Sequence, residues 1–328
     1  MKTDFFTGDD GQVHPIRDSD GYDNDLDAEK KPAVGQSRFT GGAFDLASKP
    51  AADPSKDPSK ESSTSKLSGK FALKTTHLTG QHNVNATMVG KIDGVKVVIK
   101  PETGLCDHSL RDNIAKGGDL PREVAAYQVA QKMGISMPET VVRDDTPHGK
   151  AVVQEMLPLK NGVVAGAKFG LSSQEIMMGA NNLNQIALFD AVIGNEDRHG
   201  RNFLVKGDPA SATIVPIDHG LSFPGAGSGY GNERAIEARV GEANTSLSSS
   251  EKALLRSIRG DTQLQSTLSK SLDPVDPEAV KMMNARIDVM LKTGKIDTVD
   301  ALHAGVKLYA RQAAAVKGAV DAYRTKRT

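Results

Sequence analysis

The sequence predicts an α+β fold in two lobes, a small β-rich lobe with one helix followed by a larger, mostly helical one. Three observations carry this. Residues 85–104, "NATMVGKIDGVKVVIKPETG", alternate apolar and polar positions about a Gly-containing turn, the period-2 signature of a hairpin. Residues 172–195, "SSQEIMMGANNLNQIALFDAVIGN", are apolar most of the way round a helical wheel, as a buried helix is. From Leu247 onward the chain is mostly amphipathic helix, interrupted by the prolines of "LDPVDPEAV".

The elements follow in order. The hairpin places Met88 and Ile92 before the Asp93-Gly94 turn and Val95, Val97 and Ile99 after it. "LPREVAAYQVAQKMGI" then reads as a helix. Pro121 suits its first turn, Ala125, Val129 and Met133 recur every four residues, and Gly134 stops it. "ETVVRD" and "GKAVVQEML" read as two strands joined by "DDTPHG". After the 172–195 helix, which ends at Gly194-Asn195, come two short strands, "NFLVK" and "TIVPID". The expected organisation is 1–70 as a disordered Ser/Pro/Lys/Asp-rich segment, 71–157 as the β-rich lobe, and 158–328 as the helical lobe with its C-terminal extension. The first segment contains "SKPAADPSKDPSKESSTSKLSGK", too poor in branched apolar residues to offset chain entropy by burial. Its DPSK duplication reads as low complexity, not as a structural repeat.

Bulk properties narrow the functional classes. The 328 residues carry a formal net charge of zero, so no global field draws the chain to nucleic acid or to a membrane surface. A single cysteine, Cys106, excludes an intrachain disulfide and a thiolate metal cluster, which fits a reducing compartment. Nothing approaches the roughly 18 consecutive apolar residues of a membrane helix. The start, "MKTDFFTGDDGQ", lacks the apolar core of a Sec-type signal peptide. His82, His108, His148 and His303 show no zinc-site spacing.

The chemistry concentrates in "IGNEDRHGRNFLV", residues 193–205, and "IVPIDHGLSF" just after it. Asp197 lies between a buried helix and a strand, on a loop anchored at both ends, and Asn202 follows five positions later. Asp218 comes after the second short strand, followed by His219 and Gly220. An Asp-x4-Asn pair with a later Asp-x-Gly suits phosphoryl transfer to a hydroxyl. One carboxylate orients the acceptor and takes its proton, while the amide oxygen and the second carboxylate are hard ligands for Mg²⁺. The plain alternative for Asp197 and Asn202 is a polar cap at a helix exit.

"GNEDRHGRN" followed by "IDHG" resembles the protein-kinase-like superfamily, most closely its phosphatidylinositol 3/4-kinase-like branch, whose catalytic loop reads Asp-Arg-His-x-x-Asn and whose metal motif reads Asp-x-Gly. The resemblance spans roughly residues 75–240 and implies a two-lobed protein-kinase-like fold. It assigns Asp197 and His199 to catalysis, either of them as the base, and Asn202 and Asp218 to the metal. In "VVIKPE" it makes Lys100 the nucleotide-phosphate lysine, and in "REVAAYQVAQKMG" it makes Glu123 the acid paired with that lysine. Glu155 and Met156 of "VVQEMLP" would lie along the adenine, and Gly80 and Asn83 of "HLTGQHNVNATMVG" would stand in for the phosphate-covering loop. His219 replaces the Phe of ordinary protein kinases.

The implied activity is ATP-dependent transfer of the γ-phosphate, with Mg²⁺ or Mn²⁺ as the metal. A protein Ser, Thr or Tyr is the first choice of acceptor, because the stretch after the metal motif sets Glu233, Glu237 and Glu242 against Arg234 and Arg239, a poor match for an anionic lipid headgroup. Lipid phosphorylation, AMP transfer, nucleotide binding without transfer and metal-dependent nuclease action remain the alternatives. The expected setting is soluble and cytoplasmic, in the cell of origin or in a cell that receives the protein as an effector. Self-labelling among Ser55 to Ser68 is expected if the Ser-rich segment serves as the kinase's own substrate.

Overall fold

The chain divides into two units, Met1–Ser63 and Thr64–Thr328. The computed structural model describes residues 5–7, 13–15, 65–71, 75–77, 87–102, 118–208, 211–225, 234–241 and 245–308. In the first unit β1 (Phe5–Thr7) pairs antiparallel with β2 (Val13–Pro15), Phe6 opposite His14. This short pair falls within the segment expected to be disordered, where averaging over polar composition hides the local run Phe5-Phe6. The rest of that unit lies outside the described residues.

The second unit begins with the hairpin. After β3 (Thr76–His77), β4 (Met88–Ile92) and β5 (Val95–Pro101) are joined by Asp93 and Gly94, whose φ values of 44° and 87° are both positive. Two left-handed residues in succession make the turn whose twist matches that of paired strands, and Ile92 therefore faces Val95. α1 (Asp119–Met133) follows, then β6 (Thr140–Thr146) and β7 (Gly149–Glu155). The sheet order is β3-β4-β5-β7-β6 with every pairing antiparallel. Ile92, Val97, Ile99, Ala151 and Val153 form its core together with Leu67. Leu67 belongs to the segment expected to be disordered, yet it is fully buried, and Arg143 of β6 donates to the carbonyls of Leu67 and Gly69 at 2.6 and 2.7 Å. One apolar anchor and two captured carbonyls order a stretch whose composition alone argues for disorder.

The helical lobe starts at β8 (Lys160–Asn161) and α2 (Gly162–Phe169). The single helix expected over 172–195 is two, α3 (Ser173–Met178) and α4 (Leu183–Ile193). The break has a cause. Asn181 donates through its backbone to Ala212 O and through its side chain to Ser211 O, while Asn182 exchanges two side-chain hydrogen bonds with the backbone of Ile214, each 2.9 Å. The two asparagines thus take backbone partners from β10 and the residues just before it, where helix would have continued. That sheet is β10-β9-β8, with β9 (Phe203–Lys206) and β10 (Thr213–Pro216) antiparallel. α5 (Arg234–Gly241), α6 (Ser249–Gly260), α7 (Thr262–Leu272) and α8 (Ala279–Thr293) complete the lobe, and residues 299–308 are also helical. The architecture is α+β, a small antiparallel sheet and a mostly helical remainder.

α1 sits between strands in sequence, and it packs both on β6 and β7 and on the helices of the other lobe. Its stripe of Ala125, Ala126, Val129, Ala130 and Met133 belongs to the core of the helical lobe, against α4, α6 and α7. Toward the sheet, α1 offers Leu120, packed on Val152.

Candidate active site

Arg198 organises the loop between α4 and β9. Its guanidinium is fully buried and meets Asp190 of α4 through two hydrogen bonds of 3.0 and 2.8 Å. It also donates to the carbonyls of Asn202 and, at 3.0 Å, Ile217, and it bonds Nε2 of His219 at 2.9 Å. A guanidinium has five donors and no acceptor, so one side chain ties the helix before the loop, the loop itself and the turn after β10. Asp190 also accepts from the side chain of Asn195, which in turn accepts from the backbone of Asp197 at 3.2 Å. Asp190 was not among the residues singled out from sequence. The available signal was a carboxylate in the otherwise apolar run "IALFDAVI", since a buried charge requires a partner.

On this frame the loop presents its polar groups. Asn202 donates its amide to both the carbonyl and the carboxylate of Asp197, at 2.8 and 2.9 Å. With its NH₂ committed, Asn202 has its amide oxygen as the group left to offer a cation. His199 accepts a hydrogen bond at Nδ1 from the backbone of Arg201, 3.1 Å, and its Nε2 stands 3.7 Å from Asp197. Burial pushes the His199 imidazole below its ordinary pKa, helped by Arg201 and Arg198 against the opposing pull of Asp218. The neutral ring therefore carries its proton on Nε2.

Asp218 has a φ of 59°, a left-handed conformation that costs a non-glycine residue about 1 kcal/mol or more. The strain turns the chain sharply after β10 and leaves the carboxylate about half exposed, with one oxygen 2.9 Å from Nζ of Lys100. Lys100 lies on β5 and bonds Glu123 of α1 at 2.5 Å. Glu123 uses its other oxygen to accept the backbone N–H of His219 at 3.0 Å. Burial would lower the Lys100 pKa, but the carboxylates of Asp218 and Glu123 outweigh it and hold the lysine above its ordinary range. For Glu123 the sign is opposite. Burial would raise it, and Lys100 and the hydrogen bond at His219 hold it well below the usual carboxylate range.

His219 is fully buried and makes a T-shaped pair with Phe189, ring centroids 5.6 Å apart. Its Nε2 faces the purely donating Arg198, so Nδ1 carries the proton, 3.7 Å from Glu123. The ring thus combines a hydrogen bond to Arg198 with a T-shaped contact to Phe189.

The structure thus brings together Lys100, Glu123, Asp197, His199, Asn202 and Asp218. Glu155 ends β7 and Met156 follows it, and their backbone N–H groups are already bonded to Glu139 O and Lys96 O, both 2.9 Å. Those two residues therefore have carbonyls and side chains, not N–H donors, to offer an adenine. Gly80 and Asn83 lie outside the described residues. Among the described residues no three His, Cys, Asp or Glu side chains converge as a metal cage. The oxygens of Asn202 and Asp218 suit Mg²⁺, which is ordinarily held by one or two protein ligands together with substrate phosphates and water.

Residues 180–240 match the family model for phosphatidylinositol 3- and 4-kinase. The matched segment contains Asp190, Asp197, Arg198, His199, Asn202 and Asp218, and leaves Lys100 and Glu123 outside it. Among solved structures, a Helicobacter pylori proinflammatory kinase, CtkA, is similar at 12% identity and a TM-score of 0.34, covering 66% of this chain and 95% of that one. The HipA–HipB toxin–antitoxin system of Shewanella oneidensis in complex with its operator DNA is similar at 10% identity and a TM-score of 0.33, covering 69% and 67%. No curated protein matches the sequence. No helix among the described residues is long and apolar enough to cross a membrane.

Proposed function

We propose that this chain is kinase-like, an ATP-dependent phosphotransferase that moves the γ-phosphate of ATP to a hydroxyl, with a protein Ser, Thr or Tyr as the acceptor. The observation that carries the reading is Lys100 held between Glu123 and Asp218, with Asn202 fastened to Asp197 on the adjoining loop. Phosphoryl transfer asks a protein for positioning and for charge neutralisation more than for covalent chemistry. Lys100, kept charged by its two carboxylates, is the group for phosphate oxygens. Asp197, fixed by Asn202, orients the acceptor hydroxyl and receives its proton. His199 presents an Nε2–H, a donor rather than a base, for the developing charge on the transferring group. A Mg²⁺ or Mn²⁺ ion bound with the nucleotide through Asn202 and Asp218 would neutralise phosphate charge.

The protein acceptor has support in Arg239. Of the two arginines that follow the metal motif, it is buried on α5, bonded to Glu251 at 2.7 Å and to the carbonyl of Asn184 at 3.1 Å. A guanidinium engaged in this way is not displayed to an anionic headgroup.

The test compares wild type, Asp197→Ala and Asp218→Ala with ATP labelled on the γ- or the α-phosphate, in the presence of cell extract. Label transferred to protein from the γ position alone, and lost in both variants, is the expected result. Transfer from the α position would overturn the reading in favour of AMP transfer. Label recovered in extracted lipid would overturn the choice of acceptor.

A further inference from the structure

The C-terminal helices contribute none of the catalytic groups, yet their contacts end on the elements that hold those groups. Arg122, next to Glu123 on α1, is fully buried. It donates to the carbonyl of Ser222 at 2.9 Å, to the carbonyl of Gly118 at 3.0 Å, and to Asp276 at 2.9 Å. Ser222 lies on the turn that Asp218 begins, and Asp276 lies between α7 and α8. We propose that Arg122 and Asp276 are positioning residues, through which the C-terminal helices hold α1 and the Asp218 turn in the arrangement phosphoryl transfer needs. The proposal rests on the kinase reading above.

Four observations converge on it. The apolar face of α1 lies in a core that the C-terminal helices share with α4, and α1 packs on α6 and α7 as well as on the sheet, so these helices help to set the Glu123-bearing helix. The far end of α1 is tied as well, Lys132 to Asp261 at the α6–α7 junction, 2.6 Å. Asp276 also closes on the turn itself. A Cβ at Gly225 would stand 3.1 Å from both of its carboxylate oxygens, so the chain passes this carboxylate closely. Finally, Arg286 of α8, buried, donates to the carbonyls of Ala191 and Val192 at the end of α4, the helix that delivers the Asp197 loop. Two buried arginines thus link the C-terminal helices to the two segments that carry catalytic groups.

Arg122 works through its neighbours. Glu123 reaches Lys100 and the His219 N–H only if α1 keeps its rotation and height, and Arg122 fixes both against Ser222 and Asp276. If Asp276 no longer holds Arg122, α1 and the turn lose a shared tether while the lobe keeps its apolar core.

The full-length protein is compared as wild type, Asp276→Ala, the milder Asp276→Asn, which retains an acceptor oxygen for Arg122, and Arg259→Ala. The last removes an exposed pair with Asp288, 3.1 Å, that joins α6 to α8 away from the site. Hydrogen exchange is followed at residues 118–123, 218–223 and 283–293, together with kcat and KM for γ-phosphate transfer. Asp276→Ala is expected to exchange faster at 118–123 and 218–223 with 283–293 as protected as in wild type. Its kcat should fall about tenfold to a hundredfold, the scale of a small misplacement of reacting groups, with little change in KM for the acceptor. Asp276→Asn should fall between the two, and Arg259→Ala should behave as wild type. Unchanged exchange at 118–123 and 218–223 overturns the proposal, as does faster exchange throughout in both Asp276 variants. If wild type transfers no phosphate, the kinase reading falls, and the exchange pattern alone decides whether Asp276 braces α1.

Discussion

Arg198 and Asp190 form a closed pair, two hydrogen bonds of 3.0 and 2.8 Å between side chains that solvent does not reach. Breaking a buried pair from one side leaves an uncompensated charge, at a cost of about 3–5 kcal/mol. Asp190→Ala should therefore lose stability on that scale in urea unfolding. Asp190→Asn, which keeps an acceptor and a donor, should lose less. A loss under 1 kcal/mol in Asp190→Ala would mean that the frame holds without this pair.

The Lys100–Glu123 pair makes a prediction in pH. A carboxyl held below its ordinary range contributes stability above the unfolded value, near ~4.3, and loses it as pH falls through the folded value. A lysine held above its range keeps its contribution below ~10.4 and loses it only as pH rises further. The stabilisation of wild type over Lys100→Met should thus be level between about pH 5 and 9 and shrink in acid. Melting temperatures of both proteins across that range and further into acid check it, and γ-phosphate transfer by Lys100→Met should drop by about a hundredfold or more.

Asp119, one turn before Glu123 on α1, has the opposite sign. Burial pushes its carboxyl up to about 6, with Glu123 and Asp218 adding to the rise and its own backbone N–H and Lys100 opposing it. A raised carboxyl favours the native state below its unfolded value and loses that contribution as pH climbs through the folded one. Asp119→Asn should melt with wild type near pH 4 and higher than wild type at pH 8. The gain should be about 2–4 °C, what about 1 kcal/mol gives at this size. A gain equal at both pH values would rule out ionisation of Asp119 as the cause.

His199 and Asp197 separate in the pH dependence of the reaction. Removing a general base costs about 10²–10⁴ in rate, and that loss is expected for Asp197→Ala. With Nδ1 accepting from Arg201 and burial lowering its pKa, His199 should remain neutral as the reaction proceeds. His199→Asn should lower the rate while leaving the acid limb of the pH–rate profile in place. Disappearance of that limb in His199→Asn would make His199 the titrating group.

Local chemistry was legible in the sequence and long-range chemistry was not. Asp93-Gly94 encodes its own turn, and Pro121 and Gly134 bracket α1, because each acts through its own backbone angles. Asn181 and Asn182 read as tolerable helix residues, since the carbonyls and N–H that claim them belong to residues about thirty positions on. Arg122 reads as one more charge on a polar face, because its partner Asp276 is 154 positions away. The candidate residues Asp197, Asn202 and Asp218 could be proposed from spacing in "DRHGRN" and "IDHG", whereas the buried frame of Asp190, Arg198 and His219 becomes visible only when three segments meet. Leu67 marks the same limit from the other side, a single apolar residue whose burial no window average registers.

The packing of α1 also bears on where the protein can be cut. A fragment of residues 65–157 would look self-contained by its sheet, yet it would carry Ala125, Val129 and Met133 into water with nothing to cover them. Such a fragment should precipitate when made alone and stay in solution when coexpressed with residues 158–308. The boundary between the parts of this molecule that can be exchanged or expressed apart therefore does not coincide with the boundary between its sheet and its helices.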